Sequence, residues 1–216
     1  LFSNVAPSDS VLINKHKPVC EKLVRSALME RRGYKWLEEF CEIGPRLSGS
    51  ENSLRAIHWA ESKMKELGFE NVWLQPVMVP HWERGTVERA VIKQSQNKNN
   101  YELNTLALGG SVPTPEAGII ANVIELKNFV ELKERSTEVK GKIVFFSRPL
   151  DQGLLNTFAG YGGAVDQRVY GAIEAAKYGA VAVLIRSITT KFDNVPHTGV
   201  VAYRDTIEKI PAASIG

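Results

Sequence analysis

KGKIVFFSRPLDQGLLNTFAGYGGAVDQRVYGAIEAAKYGAVAVLI, residues 140–185, is the stretch whose reading decides the fold. Ile143-Val144-Phe145-Phe146 is an apolar run without alternation, the pattern of a strand covered on both faces. Lys140-Gly141-Lys142 turns the chain into it. Residues 153–163 are glycine-rich and read as a loop. Beyond them Val169, Ala172, Ile173 and Ala176 recur at helical spacing, and Gly179 closes that helix. Residues 180–185 form a second continuous apolar run. Strand, helix and strand in this order make a βαβ unit, which requires a parallel pair. The fold class is therefore α/β.

Working outward, residues 86–93, 101–108 and 118–124 read as short strands, with a polar loop at 94–100 and a short helix at 128–134. The front of the chain has a different texture. Residues 1–17 carry no period and read as a frayed terminus. A helix starts at Pro18, a residue suited to a first turn, and shows Val19, Leu23, Val24, Ala27 and Leu28 at three- and four-residue spacing. A second helix at 34–41 puts Trp36, Leu37, Phe40 and Cys41 on one face and ends before Pro45. A third begins at Ser50 or Asn52 as N-cap, presents Leu54, Ile57, Met64 and Leu67, and stops at Gly68. Residues 69–79 read as an extended segment, with Pro76 placing it near a sheet edge. That strand has no partner within the first 80 residues.

Composition narrows the class. With 44% apolar and 24% charged residues, the chain of 216 residues is neither collagen-like nor disordered. Its 27 basic and 24 acidic side chains leave a net charge of +3, scattered rather than striped, so no nucleic-acid partner is expected. No apolar run approaches the ~20 residues of a membrane span. Cys20 and Cys41 either pair across neighbouring helices or stay as two buried thiols; two cysteines define no disulfide framework.

Few residues carry chemistry on their own. None of His16, His58, His81 and His197 stands in a helical zinc-protease motif. His58 and Glu61 lie one turn apart, but zinc takes three or four ligands, and a half-exposed histidine on an amphipathic helix explains His58 as well. There is no Gly-x-Ser-x-Gly elbow, and Ser48 and Ser50 read as helix caps. Gly160-Tyr161-Gly162-Gly163 precedes a helix without the residues of a phosphate loop. Asp151 and Asp166 bracket it, with nothing to set them face to face. Pro196-His197-Thr198-Gly199 follows the second strand of the βαβ unit, where α/β sheets present loops to ligands. His197 there is either a ligand- or partner-facing residue or a turn histidine. No catalytic residue and no metal ligand is assigned.

Several segments share a likeness. Gly44-Pro45-Arg46-Leu47-Ser48-Gly49-Ser50, followed by a helix and Leu67-Gly68-Phe69, resembles the opening of the co-catalytic zinc exopeptidases of the aminopeptidase family. Pro76-Val77-Met78-Val79-Pro80-His81-Trp82, Leu106-Ala107-Leu108-Gly109-Gly110-Ser111, Lys140-Gly141-Lys142-Ile143-Val144 and Pro196-His197-Thr198-Gly199 are similar to its plasma glutamate carboxypeptidase-like branch. The resemblance implies that residues 1–79 are the front of an α/β zinc-peptidase domain, helices plus first strand. Residues 80–216 are then a mixed α/β protease-associated (PA) domain.

It also implies two zinc ions in the complete enzyme, a bridging water and a glutamate base. In relatives the metal ligands follow the PA insertion, beginning with a His-x-Asp strand end, so they are expected beyond Gly216 and none is expected in this chain. Alone, the chain is expected to be inactive. Gly44, Pro45 and Arg46 would shape the wall of the cleft, Arg46 facing a carboxylate of the remainder. Tyr161 and His197 would line it from the PA side. The partners implied are a peptide substrate, the rest of the peptidase domain and a second copy in a homodimer, in a secreted or periplasmic setting. The alternative is a PA-type module that binds a peptide or protein and does no chemistry.

Overall fold

The computed structural model describes residues 7–93 and 100–216. The first six residues of the expected tail and nearly all of the expected 94–100 loop lie outside the described residues. The chain divides into two compact units, Leu1–Trp82 and Glu83–Gly216.

The first unit is helical: α1 Pro7–Glu30, α2 Arg32–Glu42 and α3 Glu51–Glu66. Residues from Pro7 onward are therefore not frayed, and Pro18 lies inside α1 instead of opening it. The reason is that Pro7 takes the first-turn place and no glycine or proline interrupts the ten residues between the two prolines. Pro18 costs the helix one backbone bond, to the Asn14 carbonyl. Ser50 caps α3, its Oγ accepting from Ser53 N at 3.2 Å. Glu51 in the first turn and Lys63 and Lys65 in the last suit the helix dipole. Gly68, at φ +82°, closes α3 in the left-handed region that glycine enters freely. The strand expected at 69–79 does not form. An extended segment becomes a strand only when a neighbour completes its ladder, and among the described residues none does. Cys20 and Cys41 are free and exposed, neither paired nor buried.

The second unit is built on a five-stranded sheet in the order β3-β7-β6-β5-β4. Its strands are β3 Thr105–Ala107, β4 Val123–Leu126, β5 Ile143–Phe146, β6 Ala182–Arg186 and β7 Ala212–Ile215. The last four run parallel and β3 closes one edge antiparallel to β7. A separate hairpin pairs β1 Ala90–Ile92 with β2 Tyr101–Leu103. Register explains the core. Ile124, Val144, Val183 and Ala212 lie abreast in one row, and Leu126, Phe146, Ile185 and Ser214 in the next. These rows are buried, whereas Ile143, Phe145 and Leu184 on the opposite face are half-buried. The unbroken runs thus read more buried than they are, since only one face is sealed.

The helix α5, Thr157–Ala176, covers the sealed face. A Cβ on Gly171 would stand 3.1 Å from the Phe146 ring and 3.3 Å from Ile185, so a bare backbone there lets the helix lie close. The short α4, Phe129–Glu134, adds Leu132 to the core and sets Phe129 edge-on to Phe146 with centroids 5.4 Å apart. Asn128 caps it, accepting from Glu131 N at 2.9 Å.

Several boundaries differ from expectation, and the strand expected at 86–93 forms only over Ala90–Ile92, the span that β2 pairs. The glycine-rich stretch 153–163 is helical from Thr157, because Asn156 Oδ1 accepts from Phe158 N and Ala159 N at 3.1 and 3.3 Å and starts the helix there. The strand expected at 118–124 is shifted to Val123–Leu126, since β5 offers a ladder only from Ile143. The strand expected at 101–108 is split at Asn104 into β2 and β3, which pair with different neighbours.

Candidate functional site

In the first unit the loop Gly44–Ser50 joins α2 to α3, and Arg46 is turned inward upon it. Its Nη1 donates to the Phe40 carbonyl at 2.9 Å and to the Gly44 carbonyl at 2.6 Å, and its guanidinium lies 4.2 Å from the centre of the Phe40 ring. Phe40 in turn packs against Trp59, centroids 5.3 Å apart. Trp59 Nε1 donates to Glu39 Oε2 at 3.0 Å, and Lys63 Nζ reaches the same oxygen at 3.0 Å. The lysine hydrogen bond, followed by the indole, holds the Glu39 carboxyl below the ordinary carboxylate range. On the loop's far side His81 Nδ1 lies 2.9 Å from the Gly49 carbonyl oxygen. Arg46 therefore fixes the shape of its own loop through Nη1 and the ring contact.

In the second unit two of the expected residues come together through a third that the sequence reading passed over. Tyr161 and Arg168 are seven residues apart on α5, on one face. Arg168 Nη2 donates to Tyr161 Oη, and Nη1 donates to the Thr198 carbonyl at 3.3 Å. Arg168 is buried, and its Nε has no hydrogen-bond partner. The guanidinium lies flat against Gly199, where an added Cβ would stand 2.5 Å from Nε and 2.7 Å from Cζ. The loop 196–199 is pinned on its other sides. His197 N donates to Ser187 Oγ at 2.8 Å, Thr198 Oγ1 donates to the Ala107 carbonyl at 3.0 Å, and Gly109 N donates to the Gly199 carbonyl at 2.7 Å. The His197 ring is half-buried and makes no hydrogen bond among the described residues. Tyr161 and the loop bearing His197 thus form one cluster around Arg168, at the carboxyl end of β6.

The remaining candidates separate. Asp166 pairs with Arg148, while Asp151 Oδ1 accepts from Gly153 N at 2.8 Å, so the two carboxylates have different partners. His58 Nδ1 lies 3.5 Å from Glu61 Oε2, and Glu61 Oε1 is taken by Lys65 Nζ at 2.7 Å. Among the described residues no group of three or more His, Cys, Asp or Glu side chains is placed to hold a metal ion. The donors among the described residues do not fit a zinc pair. No helix among them is long and apolar enough to cross a membrane.

The chain is similar to known proteins along most of its length. The chain is 42% identical over 207 residues to carboxypeptidase Q of Xenopus laevis, an alignment that takes in 94% of the chain and 42% of that protein. Against carboxypeptidase Q of Homo sapiens it is 39% identical over 187 residues, 86% of the chain and 37% of the relative. A solved peptidase M28 precursor from Shewanella amazonensis superposes with a TM-score of 0.81 at 34% identity, over 94% of this chain and 45% of that one. No protein-family model matches the chain. It spans about two fifths of the length of the curated relatives it matches. Similarity this high across nearly all its residues makes the chain a homologue of part of the carboxypeptidase Q proteins.

Proposed function

We propose that the chain is a portion of a zinc-dependent exopeptidase that hydrolyses short peptides, with the residues that hold two zinc ions in polypeptide outside the given 216. The observation that carries this reading is the alignment itself, which uses 94% of the chain but 42% of the relative. In this reading residues 1–79 are the opening segment of the peptidase domain and 80–216 its PA domain; the division after Trp82 supports that boundary. The exposed apolar side chains of the first unit are the surface on which the rest of the peptidase domain packs. Arg46 shapes the cleft wall by holding its loop. The Tyr161–Arg168–Thr198 cluster presents His197 to the peptide from the PA side. A second copy completes a homodimer, in a secreted or periplasmic setting.

The rival reading, a non-catalytic binding module of PA type, is not favoured, because the similarity runs through the helical unit as well. The deciding assay compares the 216-residue chain with the full-length gene product on dipeptides, with zinc added and with a chelator. Chelator-sensitive turnover is expected from the longer protein and none from the 216 residues. Turnover by the short chain, or an inert full-length product, would overturn the proposal.

A further inference from the structure

A hollow of about 730 Å³ opens in the second unit, apart from the Tyr161–Arg168 cluster, and the hydrolytic reading does not use it. It lies where α/β sheets accept ligands, outside the carboxyl ends of adjacent parallel strands. Arg186 is the last residue of β6, and Arg148 follows β5 by two residues. Arg148 and Arg186 are both among the residues that line the hollow, with Leu150, Leu154 and Phe192 as apolar side chains and Asp151 as its one acid. Ala159, Gly160 and Gly163 of α5 complete it. Gly160 is sterically committed there, since a Cβ would meet the Asp151 carbonyl oxygen at 2.9 Å.

The charges decide what the hollow can take. Arg148 is neutralised by Asp166 and held by it; Asp166 Oδ1 also accepts from Gln167 N at 2.8 Å, and Gln167 Nε2 donates to the Arg148 carbonyl at 2.8 Å. Arg148 Nε is buried without a partner. Asp151 is exposed to solvent, with one oxygen committed to Gly153. Arg186 is half-buried, and among the described residues its guanidinium has neither a hydrogen bond nor an ion pair. A planar fork of donors left unmatched on a residue that lines a partly apolar hollow suits a carboxylate. One unmatched cation in a hollow that also holds an acid favours a single negative charge over a phosphate dianion. Leu150, Leu154 and Phe192, the last 88% exposed, offer apolar surface beside it.

We infer that this hollow is a binding site for a small organic carboxylate bearing an apolar group, with Arg186 as its anchoring residue. The inference needs no metal and stands whether or not the whole protein is a peptidase. Its test is an amide-resolved NMR titration of the 216-residue chain with N-acetyl-leucine, N-acetyl-leucinamide, acetate and inorganic phosphate. N-acetyl-leucine should give saturable shifts at Ala159, Gly160 and Gly163. The uncharged amide should bind at least about tenfold more weakly, the difference a charge-assisted bond supplies. Acetate, lacking the apolar group, should also be weaker. Arg186→Gln should lose the N-acetyl-leucine response and Arg186→Lys keep part of it, both with unchanged melting temperature. Equal binding of acid and amide by the unaltered chain would overturn the site, as would undiminished binding by a folded Arg186→Gln. Tighter binding of phosphate than of N-acetyl-leucine would overturn the ligand class.

Discussion

The two units carry similar proportions of apolar residues and use them to opposite ends. In the second, the rows Ile124–Val144–Val183–Ala212 and Leu126–Phe146–Ile185 close under α5 and α4 into a continuous core. In the first, Ile43 and Ala56 are the buried apolar residues among those described, while Val19, Leu23 and Leu28 on α1 and Trp73, Val77 and Met78 beyond α3 are exposed, Met78 at 97%. A sheet brings distant segments abreast, so each apolar side chain finds several neighbours. Three helices without a fourth layer leave their stripes facing outward. The first unit is therefore held by local devices: the Ser50 cap, the Phe40–Trp59 contact and the Glu39–Lys63 pair.

This contrast is breakable by truncation. Phe146→Ala removes a fully buried ring at the junction of β5, α4 and α5 and should cost the second unit about 3–5 kcal/mol. Ile57→Ala, at a residue 47% exposed on α3, should cost the first unit well under ~1 kcal/mol. All four tryptophans, Trp36, Trp59, Trp73 and Trp82, lie in the first unit, so their fluorescence follows that unit alone. Amide exchange at β5 and β6 follows the other. The tryptophan transition should come at lower denaturant, and Phe146→Ala should bring the two together. Equal costs for the two truncations would remove the distinction.

Gly199→Ala probes the second unit at its loop instead of its core. The new methyl would force the buried Arg168 guanidinium away from the 196–199 loop, an overpacking worth roughly 1–3 kcal/mol. It should also free the Tyr161 hydroxyl, visible as a changed tyrosine environment. Retained stability with an unperturbed Tyr161 would mean that Arg168 does not organise this cluster.

How much of this was legible in the sequence follows the same division. The βαβ pattern gave β5 to the residue and α5 with its stripe, because an unbroken apolar run and a helical period are properties of single segments. β7, Ala212–Ile215, went unread: two alanines and a serine signal nothing until the register sets them beside Val183 and Ile185. His197 was visible as a loop histidine, and Tyr161 was singled out only by the family resemblance. Arg168, which joins them, was not, since a cation within a helical stripe reads as a solvated face until the fold buries it. Residues 69–79 show the converse, alternating as a strand does but lacking the ladder that would make them one.

The local devices of the first unit can be removed singly. Ser50→Ala deletes the acceptor for Ser53 N and should destabilise α3 by about 1 kcal/mol, read from the tryptophan transition. The same substitution should leave exchange in the sheet of the second unit unchanged. Coupled loss in both would contradict the independence assumed for the two units.

The smallest effect should be a pH dependence with a defined origin. Glu39 is held below its ordinary range chiefly by the Lys63 hydrogen bond and next by Trp59. A depressed carboxylate contributes stability that is present above its unfolded value, near pH 4.3, and is lost as pH falls through the folded value. Lys63 shifts upward, chiefly through the hydrogen bond it donates to Glu39 and then the one it donates to Glu66, so its contribution is complete below the unfolded lysine value and fades at alkaline pH. The first unit should thus be steadiest between those limits, and acidification should lower its tryptophan transition. Because Trp59 Nε1 donates to the same carboxylate oxygen, protonation should alter the Trp59 emission before the unit unfolds. Both partners are solvent-accessible, so added salt should weaken the response. Glu39→Gln should flatten the acid limb in the tryptophan signal and leave the second unit's own acid response in place. That response has a separate source in Glu131, held low first by the Lys127 backbone amide at the start of α4. An acid limb that persists in Glu39→Gln would place the stabilising contacts of the first unit elsewhere than in the Phe40–Trp59–Lys63 cluster.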